Sequence, residues 1–112
     1  IGDIGSQVIK ERKTLSEEGL FSIVLSIDSS KKKLVNDPTI ISRGFIYMRG
    51  NEEITRSLAN EAKIICQKEL NAKVINEQHL KNAVITHLSE KIFELTQRRP
   101  LIIPIVIDLK VN

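Results

Sequence analysis

Two runs of β-forming apolar residues constrain what this chain can fold into more than any other feature. Residues 20–28 (LFSIVLSID) and 101–109 (LIIPIVIDL) are dense in Ile, Val and Leu. The first run is apolar on both phases of the strand alternation, a pattern typical of a strand that is central in a sheet or buried on both faces. The second run contains Pro104, which donates no backbone hydrogen bond and therefore indicates an edge position or a bulge.

The segment after the first run has the pattern of a hairpin. Residues 29–33 (SSKKK) form a polar tip, and Leu34 begins the return. Residues 36–38 (NDP) predict a break or bulge, because proline lacks a donor and disfavours helix before it. A second strand is expected over residues 39–47, interrupted by Gly44.

Helical patterns occupy the rest of the chain. Residues 4–18 have apolar positions at helical spacing, and Gly19 is placed as a C-terminal stop. Asn51 and Asn76 are candidate N-caps of two longer helices. The expected core stripe of the first consists of Ile54, Leu58, Ala62, Ile65, Cys66 and Leu70, and that of the second consists of Leu80, Val84, His87, Leu88, Ile92 and Leu95.

This order of elements, α-β-β-α-α-β, predicts an α+β two-layer sandwich. A three-stranded mixed sheet would carry two helices on one face, with a short linker helix at the N-terminus. The last strand should run parallel to the first, because two antiparallel helices separate them. The strands offer more apolar positions than one helical layer can cover, so we expect an exposed apolar patch on the other sheet face. At 112 residues the chain is the length of one domain, and it contains no apolar run long enough to span a bilayer.

The residues offer little catalytic chemistry. A hydrolytic zinc site needs about three converging protein ligands. His79 and His87 are eight residues apart on one predicted helix, a rise of about 12 Å, so they cannot share an ion. We expect His79 in the first turn of that helix, His87 to pack or hydrogen-bond at the sheet interface, Cys66 to be a core thiol, and the helical glutamates to lie on solvated faces. The sequence therefore predicts no catalytic residue and no metal ligand.

Basic residues are the remaining candidates for a binding site. The net charge is +3, and residues 28–50 hold five basic and two acidic side chains. Two interpretations stay open: a solvated loop with arginines placed by a helix dipole, or contacts with carboxylates or RNA phosphate. The candidate RNA-binding residues are Lys31, Lys32, Lys33, Arg43, Arg98 and Arg99.

Several stretches together resemble one known family. Residues 38–47 (PTIISRGFIY) and 96–106 (TQRRPLIIPIV) each join an arginine-bearing turn to a β-forming run, and residues 2–5 (GDIG) and 12–19 (RKTLSEEG) precede them. In order and spacing these resemble the C-terminal domain of ribonuclease J, over essentially the whole chain. Residues 1–19 would then be the linker from a catalytic portion outside this sequence, and residues 20–112 the domain itself.

The resemblance implies a cytoplasmic RNA-degrading enzyme with 5′-to-3′ exonuclease and endonuclease activities. Its two zinc ions would be held by a metallo-β-lactamase domain, completed by a β-CASP domain, and none of those ligands lies in these residues. The C-terminal domain would support assembly with an identical or paralogous subunit, and no membrane partner is implied. The leading hypothesis is thus a non-catalytic assembly domain, and the alternative is a nonspecific RNA-backbone-binding module that uses the basic hairpin. A small-ligand regulatory module ranks third.

Overall fold

A single sheet backed by two long helices forms the body of this protein, as seen in a computed structural model that describes residues 2–44 and 52–110. The molecule measures 42 × 41 × 20 Å. The short dimension corresponds to one sheet plus one helical layer, each about 10 Å thick. The described elements, in chain order, are α1 (Gly2–Glu17), β1 (Leu20–Asp28), β2 (Lys33–Leu34), β3 (Thr39–Arg43), α2 (Glu52–Leu70), α3 (Glu77–Thr96) and β4 (Leu101–Asp108).

Strand β1 is central, as its two-phase apolar pattern predicts. Strand β4 pairs with it in parallel, with Leu20 opposite Leu101 and Ile27 opposite Asp108. Because β4 occupies one side of β1 along this length, β2 and β3 share the other side, and both are antiparallel to β1. The mixed sheet and the parallel first and last strands are confirmed. Pro104 lies in a strand that has no second strand partner among the described residues, so its edge position is confirmed as well.

The return leg of the hairpin is divided into two strands, and the sequence predicted one. Leu34 pairs with Ile27, while Thr39 pairs with Val24 further along β1. Residues 35–38 interrupt the leg at the predicted break, where Pro38 is buried. Gly44 follows β3 with φ 68°, which an L side chain rarely adopts. The predicted continuation to residue 47, like the predicted cap at Asn51, lies outside the described residues.

The core lies between the sheet and the helices α2 and α3. Alternate residues of β1 (Phe21, Ile23, Leu25 and Ile27) are at most 2% exposed. They meet the predicted helical stripes, of which the fully buried members are Leu58, Ala62, Cys66 and Leu70 on α2 and Leu80, Val84, Leu88 and Ile92 on α3. The α+β two-layer architecture is therefore confirmed.

The two ends of α3 differ in how well the pattern described them. Asn76 is the N-cap, and its side-chain oxygen accepts a hydrogen bond from the His79 N–H at 2.9 Å. At the other end, the expected core position of Leu95 is wrong, because that side chain is 48% exposed and Thr96 is buried instead. The Thr96 hydroxyl donates to the Ile92 carbonyl, and the chain turns into a left-handed conformation at Gln97. The buried stripe therefore ends on a satisfied hydroxyl.

Helix α1 ends as the sequence predicts but packs little. Gly19 follows it with φ 92°, a conformation that favours glycine. Val8 and Ile9, two of its apolar positions, are 43% and 69% exposed. The described part of α1 therefore leaves apolar surface open, and its expected role as a linker stays a prediction.

Candidate interaction face

Among the described residues, α2 and α3 cover only one face of the sheet. Side chains that pair across neighbouring strands lie on the same side of a sheet. Because Phe21, Ile23 and Leu25 face the helices, the alternate set faces away from them. We call this set the open face: Leu20, Ser22, Val24 and Ser26 of β1, Thr39, Ile41 and Arg43 of β3, and Leu101, Ile103, Ile105 and Ile107 of β4.

The exposed apolar surface of the open face is concentrated on its outer strands. Ile103, Ile105 and Ile107 of β4 are 41–43% exposed, and Ile41 of β3 is 49% exposed. The central strand between them presents Ser22 and Ser26 together with Leu20 and Val24, all half-buried by their neighbours. An aliphatic surface of this kind packs against another apolar surface, and among the described residues it holds no aromatic ring on which a base could stack. The expected exposed apolar patch is present.

The area of the open face limits what it can bind alone. Eight paired residues extend about 26 Å along the strands, and three strands extend about 14 Å across, which gives a projected area on the order of 400 Å². A standard protein–protein interface buries about 800 Å² per partner. By this measure the open face alone is about half of a standard interface.

The six candidate RNA-binding residues fall into two groups at opposite ends of the sheet. Lys31, Lys32 and Lys33 follow the C-terminal end of β1, whereas Arg43 pairs with Leu20 at its N-terminal end. Arg98 and Arg99 lie just before Pro100 and Leu101, and Leu101 also pairs with Leu20. The two groups are thus separated by the length of β1, about 26 Å. The fold does not bring them together into one site.

The lysine group contains one side chain with a structural role. The ammonium group of Lys32 donates to the carbonyls of Ala72 and Lys73 at 2.9 and 3.2 Å, and the Gln67 amide donates to the carbonyl of Lys32 at 3.0 Å. These bonds fix the hairpin tip to the connection between α2 and α3. Lys31 and Lys33 are exposed and remain candidates for contact with an anion.

Two of the arginines also have partners within the domain. Arg98 Nη1 lies 3.3 Å from Glu18 Oε2, joining the end of α1 to the start of β4. The guanidinium carbon of Arg99 lies 4.1 Å from the centroid of the Phe93 ring, within cation–π distance. Arg43 is exposed at the end of β3, on the open face.

Two aspartates at the C-terminal ends of β1 and β4 hold the hairpin tip, a role the sequence did not reveal. The Ser30 hydroxyl, with the N–H groups of Lys31 and Ser30, donates to Asp28 and lowers the pKa of that carboxyl below 3.8. Asp108 accepts from Ser29 and Lys110, and the Ser29 bonds lower its pKa in the same way. The bonds from the N–H groups of Ser30 and Lys110, each two residues after its aspartate, are those of Asx turns, and the Ser29 bond to Asp108 joins the two strand ends.

Two Glu–His pairs join α2 to α3. Glu61 Oε2 lies 2.6 Å from His87 Nε2, and Glu69 is bonded to His79 Nδ1. The His87 bond lowers the pKa of Glu61. The expectation that these glutamates are simply solvated is therefore wrong, and the hydrogen bond of His87 goes to α2 and not to the sheet. The signal was present: both the glutamates and the histidines are eight residues apart, so one antiparallel register brings both pairs together.

The described residues offer no site for the zinc chemistry that the resemblance implies. No group of three or more His, Cys, Asp or Glu side chains among them could hold a metal ion. Cys66 is buried in the core, where desolvation raises its thiol pKa to about 11. In the described part of the chain, no helix is both long and apolar enough to cross a membrane. The fold and its open face together define a small domain of the two-layer α/β class.

Comparison with known proteins identifies the family. Residues 7–109 match the family model of the ribonuclease J C-terminal domain. The chain is 33% identical over 109 residues to ribonuclease J 2 of Staphylococcus epidermidis, and 34% identical over 109 residues to ribonuclease J 2 of Staphylococcus aureus. Each alignment covers 97% of this chain and 20% of the relative. The chain belongs to the ribonuclease J C-terminal domain family, and it spans about a fifth of the length of these relatives.

Proposed function

We propose that this domain is the non-catalytic assembly element of an RNA-degrading enzyme of the ribonuclease J type. The open face would contact a second subunit of the same enzyme and thereby set the positions of two catalytic portions relative to each other. The phosphodiester hydrolysis, with its 5′-to-3′ exonuclease and endonuclease modes, would belong to a zinc-dependent portion outside this sequence. The proposed site of action is the cytoplasm.

The observation that carries this proposal is the open face. Ile103, Ile105 and Ile107 form an aliphatic row on one strand, and Ile41 extends it across the sheet. Leaving such a surface in water is unfavourable by about 25 cal/mol per Å² of apolar area. Exposed apolar patches of a few hundred Å² are often functional surfaces. Family membership supports a second enzyme subunit as that partner.

The size of the open face predicts how strong the contact is. Because it supplies about half of a standard interface, this 112-residue chain should associate weakly and the parent-length protein more tightly. Sedimentation equilibrium over a wide concentration range measures both. The informative variant is Ile105→Lys, which places a charge in the middle of the apolar row.

A matched control is available on the other side of the molecule. Ile64, on the outer surface of α2, is 55% exposed, comparable to Ile105. We expect Ile105→Lys to abolish association of the chain and weaken that of the parent-length protein, while Ile64→Lys leaves both unchanged. If the chain is strictly monomeric and Ile105→Lys does not alter assembly of the parent-length protein, the proposal is wrong.

A second candidate, RNA-backbone binding, is favoured by the exposed Lys31 and Lys33 at the hairpin tip. With only two such lysines, the logarithm of the affinity for single-stranded RNA should fall with the logarithm of salt with a slope of about −1.4. The double variant Lys31→Glu/Lys33→Glu should remove binding, and Lys68→Glu on exposed α2 surface is its control. Absence of binding at about 50 mM salt excludes this function.

A further inference from the structure

Strand β4 presents two surfaces to its surroundings, and its backbone phase is fixed by two hydrogen bonds. The Leu101 N–H donates to the Gly19 carbonyl at 3.0 Å, and the Leu109 N–H donates to the Ile27 carbonyl at 2.7 Å. In a parallel pair, every second residue directs both backbone groups to the neighbouring strand. Leu101, Ile103, Ile105, Ile107 and Leu109 therefore bond to β1.

The intervening residues of β4 direct their backbone groups outward, to the free edge of the sheet. These are Ile102, Pro104, Val106 and Asp108. Ile102 is buried, Pro104 and Val106 are half-buried and Asp108 is exposed, so the edge becomes accessible from Pro104 onward. Among the described residues no strand pairs with this edge. Pro104 is therefore at a position whose N–H would point away from β1, so no hydrogen bond between β1 and β4 is lost there.

An edge of this composition, with no strand partner among the described residues, favours pairing with the edge of another copy. Long, exposed strands rich in Ile and Val pair with the edges of other copies. A strand that adds to the edge of β4 would accept hydrogen bonds from the outward N–H groups of Val106 and Asp108. It would also need an N–H from residue 104. Proline supplies none, so a carbonyl of the added strand would remain unpaired at the centre of the contact.

We propose that Pro104 blocks edge pairing and thereby directs association of this domain to the open face, where the partner is a second copy of the chain. This inference rests on the proposed assembly function and specifies its geometry. The side chains of Ile103 and Ile105, on either side of Pro104, belong to the open face. The same short segment of β4 therefore prevents edge-to-edge strand pairing and supplies part of the open face.

The decisive variant restores the missing donor with little change in volume. Pro104→Val should make edge pairing available, so that species larger than dimers appear at about tenfold lower protein concentration than for the parent chain, the change expected for roughly one net hydrogen bond. Adding Val106→Pro moves the proline two residues along the same edge and should restore the parent behaviour. Thermal unfolding of each variant verifies that it is folded.

The outcomes separate this inference from the assembly function itself. Edge association of Pro104→Val should persist in an Ile105→Lys background, where the open face is blocked. If Pro104→Val associates no more strongly than the parent chain, the edge-blocking role is refuted, whatever happens to the face. If Pro104→Val increases association but Ile105→Lys does not change assembly of the parent-length protein, the assembly proposal fails. The edge-blocking role of Pro104 then stands separately.

Amide hydrogen exchange gives an independent measurement on the unaltered chain. In the monomer, the amides of Ile103, Ile105 and Ile107 should be protected by β1, and the amide of Val106 should exchange at least tenfold faster. On association through the open face, Val106 stays fast. Protection of Val106 in the associated state would mean that the edge is the contact and would overturn the proposal.

Discussion

The two faces of the sheet use the same strands for different purposes. On the helix-covered face, Phe21, Ile23 and Leu25 are fully buried and meet α2 and α3. On the open face, the central strand alternates Ser22 and Ser26 with aliphatic side chains, and the most exposed isoleucines stand on the outer strands. An isolated domain is better served by polar residues at its rim. The open face has the reverse arrangement, and this is the basis of the proposed contact with a partner.

The difference between the two faces shows where the stability of the domain comes from. The covered face supplies the core and is closed within the described residues. The open face contributes to the fold mainly through the backbone ladder of β1 with β3 and β4, so its side chains are available for a partner. Substitutions on the two faces should therefore separate into those that unfold the domain and those that change association.

The largest expected effect comes from the covered face. Phe21→Ala should lower the free energy of unfolding by about 3–5 kcal/mol, because it leaves a cavity between the sheet and the helices. Ile105→Ala, on the same sheet but the opposite face, should lower it by less than about 1 kcal/mol. Urea unfolding at low protein concentration, where association is absent, measures both. Equal losses would contradict the division of roles between the faces.

Backbone substitutions in β4 test the same comparison at the level of the ladder. Ile105→Pro removes an N–H that is directed at β1 and should cost about 1–3 kcal/mol through the unpaired carbonyl alone. Ile105→Ala isolates the small side-chain contribution. The native Pro104, one residue away, carries no such cost because its N–H position faces outward. If Ile105→Pro is as stable as Ile105→Ala, the assigned phase of β4 is wrong.

The parts of this fold that were predictable are those fixed by periodicity. The alternation in residues 20–28 and the stripe from Leu58 to Leu70 place the core, and Asn76 marks the start of α3. The parts that were missed depend on register between elements. Neither the Lys32 contact with Ala72 nor the burial of Thr96 in place of Leu95 follows from spacing along one element.

The candidate site follows the same rule. The uncovered apolar face was predictable because the strands have apolar residues on both of their faces, and one helical layer covers only one face. The separation of the lysines from the arginines was not, since it depends on β3 ending and β4 starting at the Leu20 end of β1. A list of basic residues along the sequence does not reveal that they lie at opposite ends of a strand.

The Glu61–His87 pair joins the two helices of the covered face, and its contribution to the free energy of unfolding can be measured. Glu61→Gln keeps the shape of the side chain and removes its charge, and we expect a loss of about 0.5–1 kcal/mol near pH 6.5. Since the hydrogen bond with His87 lowers the Glu61 pKa below its ordinary 4.5, the contribution is present above pH 4.5 and is lost as the pH falls through the lowered folded value. Urea unfolding at several pH values should therefore show the deficit of the variant shrinking below pH 4.5. A deficit that does not change with pH would assign the effect to packing.

The smallest expected effect concerns an ion pair at the rim of the helical layer. Lys63 Nζ lies 3.0 Å from Asp37, where the side chains are 54% and 82% exposed. Because water and salt screen such a pair, Lys63→Ala should change the free energy of unfolding by less than about 0.5 kcal/mol. The pair borders a cleft of about 150 Å³ next to Pro38, lined also by Arg56 and Asn60. Lys63→Ala could instead lower the free energy of unfolding as much as Glu61→Gln does, with no dependence on salt. That result would mean that the ion pair with α2 stabilises the strand break at Pro38 more than the exposure of the pair indicates.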